Sequence, residues 1–243
     1  MTACVAFSGV EKRYGSVTAL NHVSLECPAQ ALTAIVGASG SGKTTLLQTV
    51  NGLVRPDSGQ VQIFGEPIPY DNLEPFRHGI GYAVQGAGLF PHMTAYENVT
   101  LVARLLTWDE TRIRDRFNAL LEEVDLPASV SDRLPRELSG GQQQRLGLCR
   151  ALMLQPKLLL LDEPFSAIDP ITRADIYSQF ETIKQVEAVS ALLVTHDLRE
   201  ARRLSEYLVI LSDGELQQHG ATADVLANPA NEYVDKLVQS QLA

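Results

Sequence analysis

Cysteine is scarce in this sequence. Cys4, Cys27 and Cys149 are odd in number and far apart. That excludes a disulfide framework, and no pair has metal-ligand spacing, so buried free thiols in a reducing compartment are expected. Long apolar runs are also missing, and none approaches the roughly 20 residues of a membrane span. Basic charge is in deficit. Lys and Arg number 20 against 29 Asp and Glu, a net charge of -9, which argues against a general nucleic-acid-binding surface. Met1-Thr2-Ala3-Cys4-Val5 has no basic stretch leading into an apolar one, so no secretory leader is expected. Internal repeats and low-complexity tracts are absent. What remains is a chain of 243 residues, 45% apolar and 20% charged. It has an ordinary globular composition and is long enough to bury a large core.

One stretch organises the rest. Gly37-Ala38-Ser39-Gly40-Ser41-Gly42-Lys43-Thr44-Thr45 fits the P-loop pattern G-x-x-x-x-G-K-[ST]. Leu32 to Val36 before it is a short apolar run and predicts a buried strand. Leu46, Leu47 and Val50 after it share a helical face, and Gly52 stands where a helix would end. Glycines let phosphate oxygens approach backbone N–H groups, and the helix start adds more donors and a positive dipole end. Lys43 supplies a compact cation for the phosphates, and Thr44 a hydroxyl for Mg²⁺.

The remaining chain alternates between strand and helix signals. Residues 1–30 read as short antiparallel strands with a turn at Tyr14-Gly15. Tyr14 could stack on a purine or simply pack. Val61 and Ile63 alternate with Gln60 and Gln62, and Ile80 to Val84 is a buried-strand candidate ending at Gln85. That glutamine could ligate Mg²⁺ or water, or merely cap its loop. From about residue 90 to 155 the pattern turns helical and describes an inserted lobe. Asp109 is placed to cap a helix whose apolar face is Ile113, Phe117, Leu120, Leu121 and Val124. Within the lobe, Leu138-Ser139-Gly140-Gly141-Gln142 opens another helix. Ser139 can act as a second anion site or as an ordinary helix cap. Lys157 to Glu163 is an apolar run ending in two carboxylates, the pattern of a central parallel strand with Asp162 and Glu163 at its ligand-binding end. Asp162 is placed to hold Mg²⁺ through water, and Glu163 to polarise a water. Ile171 to Val186 reads as a helix with Ile176, Phe180 and Ile183 inward. Ala191 to Thr195 is a further buried strand, ending at His196. Tyr207 to Leu211 turns at Asp213-Gly214, a hairpin signal, and short helices broken at Asn228-Pro229 follow.

Taken together, these segments resemble the ATP-binding subunits of ABC transporters over nearly the whole chain. A P-loop alone is common to many NTPases. Leu138 to Gln142, matching the LSGGQ signature upstream of the Asp162 strand, is far more restrictive. Gln85 matches the family's Q-loop, Tyr14 its adenine-stacking loop, Ser166-Ala167-Ile168-Asp169 its D-loop and His196 its switch histidine. Ile168 stands where leucine is frequent and preserves apolar volume.

The resemblance implies an α/β fold: a P-loop NTPase core with a mostly parallel sheet, an antiparallel β subdomain and the inserted helical lobe, all within one domain over 1–243. It implies ATP and Mg²⁺ as cofactors, with Thr44, Gln85 and Asp162 at the metal. Residues 37–45, Tyr14, Ser139, Gly140, Gly141, Gln142 and Asp169 would contact nucleotide, and Glu163, His196 and Gln85 would serve hydrolysis. It also implies a second ATP-binding domain paired head to tail, most simply another copy of this chain, with separate transmembrane permease subunits and a solute-binding protein. The chain would sit in the cytoplasm against the inner or plasma membrane. Gly88 to Thr94 looks like bacterial importer subunits, and Asp169 to Arg173 leans towards glycine betaine, osmoprotectant and amino-acid importers. A soluble ABC-type ATPase outside transport, or a nucleotide-binding regulator without turnover, are the rival classes. The first usually carries coiled-coil insertions or tandem cassettes, and Glu163 and His196 argue against the second.

Overall fold

The computed structural model describes residues 3–84, 86–165, 177–178, 180–182 and 186–242. Backbone contacts divide the chain into two compact units, residues 1–77 with 190–243, and residues 78–189. Elements are numbered along the chain.

Unit 1 contains two sheets. The first is antiparallel, in the order β2-β1-β4-β5. β1 (Ala3–Tyr14) and β2 (Val17–Pro28) are each 12 residues long, so the expected short strands are two long ones, bent by register shifts. Each bulge breaks the period-2 pattern that marks one continuous strand in a sequence. β4 (Ser58–Ile63) pairs with β1 and buries Val61 and Ile63, and β5 (Glu66–Pro67) closes the edge.

In the second sheet β3 (Leu32–Val36) lies parallel to β8 (Ser190–Thr195) on one side and to β9 (Tyr207–Ser212) on the other. β10 (Glu215–Ala221) returns antiparallel from β9. Its turn is the Asp213-Gly214 pair, both at positive φ, as a right-twisted hairpin demands. Every residue of β3 and β8 is buried, which explains why both read as uninterrupted apolar runs. α1 (Lys43–Val50) follows β3 and turns Leu46, Leu47 and Val50 inward. From α2 (Leu73–His78), Arg77 donates to the carbonyls of Asn51 and Gly52, placing a cation at the carboxyl end of α1. α6 (Leu198–Leu204), α7 (Thr222–Ala227) and α8 (Glu232–Leu242) complete the unit. Cys4 and Cys27 are buried and free here, and burial pushes the Cys4 thiol up to about 11. Both stay neutral and unreactive.

Unit 2 carries β6 (Ile80–Ala83) parallel to β7 (Leu158–Asp162). β7 is buried throughout, as expected, whereas β6 alternates half-buried Ile80 and Tyr82 with buried Gly81 and Ala83. Among the described residues β6 pairs with β7 alone, so its other side lacks the cover that a central strand receives.

Three helices form the lobe: α3 (Ala95–Leu105), α4 (Glu110–Glu123) and α5 (Gly140–Leu152). Each starts at a side-chain cap, from Thr94, Asp109 and Ser139 respectively, which fixes where the helix begins. Ile113, Phe117, Leu120, Leu121 and Val124 are all buried, as their spacing predicts. Phe180 is buried as well, against the ring of Phe165, whereas Ile176 and Ile183 lie outside the described residues. No helix among the described residues is long and apolar enough to cross a membrane.

Unit 2 contains a half-buried ionic cluster. Arg116 makes two hydrogen bonds to Glu187, at 2.7 and 3.0 Å, and lies 3.7 Å from Glu123. Burial first, then the charge of Glu187, hold the Glu123 carboxyl above its usual range, with Arg116 opposing. A raised native pKa gives stability that is complete below the unfolded-state pKa and lost as pH rises through the native one. Glu123→Gln removes that charge and supplies an amide donor for Glu187. The variant should melt about 1–3 °C above wild type near neutral pH, with the gap closing towards about pH 4. Melting curves across this range check it, and a lower midpoint at neutral pH would show that the Arg116 contact dominates.

Candidate active site

The loop after β3 is packed so closely that side chains would not fit. A Cβ at Gly37 would lie 2.2 Å from the Leu211 carbonyl oxygen of β9. Gly42 has φ of 96°, and its Cβ would meet the Ala19 carbonyl oxygen of β2 at 2.3 Å. Both glycines are therefore required by the backbone itself. The β9–β10 turn fastens the loop from outside, because Gly214 donates to the Ser41 carbonyl at 3.2 Å and accepts from Asn21 at 2.9 Å.

Gly42 also caps α1 and brings no side-chain acceptor, unlike the caps of the three lobe helices. Lys43 opens that helix, 6% exposed. Its Nζ donates to the carbonyls of Gly37 at 2.9 Å and Ala38 at 2.7 Å, with Ser41 Oγ at 3.5 Å. Ala38, Ser39, Gly40 and Thr44 face outward, and Thr45 is half-buried. The result is a closely packed glycine loop with the Lys43 ammonium against its carbonyls and a helix N-terminus behind it, an arrangement suited to an anion.

His196 leaves the sheet at the same end. Val36 and Thr195 are register partners on adjacent parallel strands, so Gly37 and His196 depart side by side. Thr195 sets the path of the next residues. Its Oγ1 donates to the buried Glu200 at 2.7 Å and accepts from Asp197 N at 3.0 Å. The His196 side chain is exposed. Tyr14, at the end of β1, is 50% exposed, with Lys12 Nζ 5.6 Å from its ring centroid. A core-packing role is therefore excluded, and an open ring face remains.

In unit 2, Asp162 ends β7 and is 8% exposed. Glu163 follows with φ of 46°, a left-handed conformation that costs a non-glycine residue about 1 kcal/mol or more. Ser139 and Gly140 stand exposed at the start of α5, anchored by buried Leu138. Ser139 Oγ accepts from Gln142 N at 3.3 Å, and Gln142 Oε1 accepts from Ser139 N at 3.0 Å. The ordinary capping role thus holds in this structure, and it presents Gly140 and Gly141 at a helix N-terminus. Gln85 and Asp169 lie outside the described residues.

Sequence reading missed residues that support these segments. Arg150 donates to the carbonyls of Gly88 at 2.7 Å and Ala87 at 3.1 Å, holding the chain just beyond Gln85 against α5. Gln143 Nε2 ties Pro135 and Leu138 together ahead of the Ser139 cap. No local signal announces either role, since each contact reaches a main-chain carbonyl that any residue would offer.

Residues 20–166 match a family model described as ABC transporter. A glycine betaine/carnitine/choline transport ATP-binding protein of Bacillus subtilis (strain 168) is 43% identical over 230 residues, 94% of this chain and 60% of that protein. A glycine betaine uptake system ATP-binding protein of Escherichia coli (strain K12) is 40% identical over 95% of this chain and 75% of its own length. The chain thus spans about three fifths of the length of the Bacillus relative. Among solved structures, an ATP-binding cassette in a dimeric post-hydrolysis state, bound to ADP and Pi, aligns with a TM-score of 0.80. It is 31% identical over 90% of this chain and 98% of that one. The cbiO1 protein of Clostridium perfringens, part of the ABC transporter complex cbiONQ, aligns with a TM-score of 0.87 and 25% identity, over all of this chain and 96% of that one.

Proposed function

The chain belongs to the ABC transporter family, and on that premise we propose that it binds and hydrolyses ATP with Mg²⁺ to power solute import through separate membrane subunits. The observation that carries this reading is the loop after β3. Glycines there exclude Cβ atoms, and the Lys43 ammonium is held against the loop carbonyls beside a helix N-terminus. A polyphosphate fits that chemistry.

For the metal, the proposed donors would be hard oxygens: the Thr44 hydroxyl, the Asp162 carboxylate through water, and Gln85. Among the described residues no group of three or more His, Cys, Asp or Glu could hold a metal ion. Mg²⁺ suits such a sparse set, because it is commonly bound by one or two protein donors together with substrate phosphates. Bound there, the ion would neutralise charge on the phosphates. Lys43 would hold the phosphates, Glu163 would accept a proton from the attacking water, and His196 would orient water and terminal phosphate. Tyr14 would stack on the adenine, while Gln85 and Asp169 would complete the site.

The nucleotide would be enclosed between two copies of the chain, the P-loop of one facing Ser139 to Gln142 of the other. Permease subunits and a solute-binding protein would complete the transporter, with this chain on the cytoplasmic membrane face. Glycine betaine and related osmoprotectants are the proposed solute class, following what the relatives' names state of those proteins.

Gly141→Asp tests the paired arrangement. A carboxylate at the start of α5 would meet the partner's nucleotide phosphates and repel them. Turnover by the purified chain should fall at least about 100-fold, as removal of a key electrostatic contact does. ATP binding to the single chain should change little. Equal loss of binding and turnover would place this segment on the chain's own nucleotide and reject the paired site.

A further inference from the structure

The last turn of α8 reaches back to the loop that carries His196. Gln241 lies 45 residues beyond that histidine, and its side-chain amide pairs with the backbone there as another peptide group would. Gln241 Nε2 donates to the His196 carbonyl at 3.2 Å, and Gln241 Oε1 accepts from Leu198 N at 2.6 Å. Only one orientation of the amide satisfies both bonds. Leu198 N belongs to the first turn of α6, where backbone donors have no partner within the helix, so Gln241 supplies an acceptor that the fold otherwise requires.

A third contact fixes the approach of α8 itself. Arg199 Nε donates to the Gln241 carbonyl at 2.8 Å, a cation at that helix's carboxyl end. From the other side Thr195, Asp197 and Glu200 lock the loop through the bonds described above. The backbone of His196 is thus clamped between its own following helix and the final helix of the unit.

We propose that Gln241 is a positioning residue for His196, so that ATP turnover depends on docking of the last turn of α8. This rests on the proposed role of His196 in hydrolysis. Gln241 touches neither the P-loop nor any candidate metal donor through these bonds. Its effect is therefore confined to the rate of the chemical step and spares nucleotide binding. The physical basis is orientation: small misplacement of a group that aligns reactants lowers rate far more than affinity.

The test is Gln241→Ala in the full chain, read three ways. In steady-state ATP hydrolysis, kcat should fall about tenfold while KM for ATP stays within about twofold. The melting midpoint should stay within about 3 °C, as expected for loss of a surface contact. In NMR spectra without nucleotide, the His196 ring resonances should shift or broaden, and the Leu198 amide should exchange faster. Unchanged kcat, unmoved His196 resonances, or a joint collapse of kcat, KM and melting midpoint would each overturn the inference. A wild-type chain that does not hydrolyse ATP would reject the proposed function alone. The His196 and Leu198 signals of the variant would then decide whether Gln241 positions the loop.

Discussion

Glu163→Gln should lower ATP turnover by roughly 10²–10⁴-fold, the usual contribution of a general base, while ATP binding is retained. β7 is buried along its whole length and delivers Asp162 and Glu163 in succession at its carboxyl end. Glu163 leaves the strand at positive φ, so the backbone changes direction between the two carboxylates. Glutamine keeps the length and hydrogen-bonding reach of the side chain and loses only the charge. The backbone, already committed to a left-handed residue, has no reason to move.

Removing the charge should also relieve repulsion between this position and the terminal phosphate, so that paired chains persist longer with ATP. Single-turnover hydrolysis measures the first effect. Size-exclusion chromatography with ATP and with ADP measures the second, with a dimer expected only with ATP. Hydrolysis close to the wild-type rate would mean that the base is another group.

Lys43→Ala should act on both the loop and the ligand. In the structure the ammonium donates to two loop carbonyls from a nearly buried position. Alanine leaves both acceptors without that donor, at a cost of about 1–3 kcal/mol in unfolding free energy. With nucleotide, the variant also lacks the cation for the phosphates, and affinity should fall by about 10²-fold, the equivalent of one strong charge-assisted contact. Denaturant unfolding without nucleotide and titration with a fluorescent ATP analogue separate the two effects. If unfolding is unchanged, the lysine–carbonyl bonds contribute nothing net. Undiminished affinity would remove the P-loop assignment.

Several elements were legible in the sequence because their signals are local. β3, β7 and β8 are apolar runs ended by a glycine or a polar residue, which is how strands that bury both faces are written. Asp109 and Ser139 announced helix starts through caps that involve only the next three residues. Asp213-Gly214 announced a hairpin through its own backbone preference. β1 and β2 carry the signal of shorter strands because bulges interrupt their alternation, and the seven residues of α6 give too little periodicity to mark a helix. The supporting contacts were illegible for a different reason. Arg116 with Glu187, Arg150 with Gly88, and Gln241 with His196 are 71, 62 and 45 residues apart. Charge, length and polarity fitted these side chains for many partners, and the tertiary fold selected among them.

The seam at Gly214 bears on how this site comes into being during folding. That glycine joins Asn21 to the P-loop residue Ser41, linking segments from opposite ends of the chain. The motif occupies nine consecutive residues, yet the carbonyls packed against its glycines come from Ala19 and Leu211. Bringing them together closes a loop of nearly 200 residues, and such non-local closure is slow and entropically costly. A nascent or fragmentary chain can therefore display every letter of the motif before the contacts that hold its loop exist. If the loop binds nucleotide as proposed, that nucleotide should retard unravelling more than it hastens assembly, as expected for interactions made after the rate-limiting barrier.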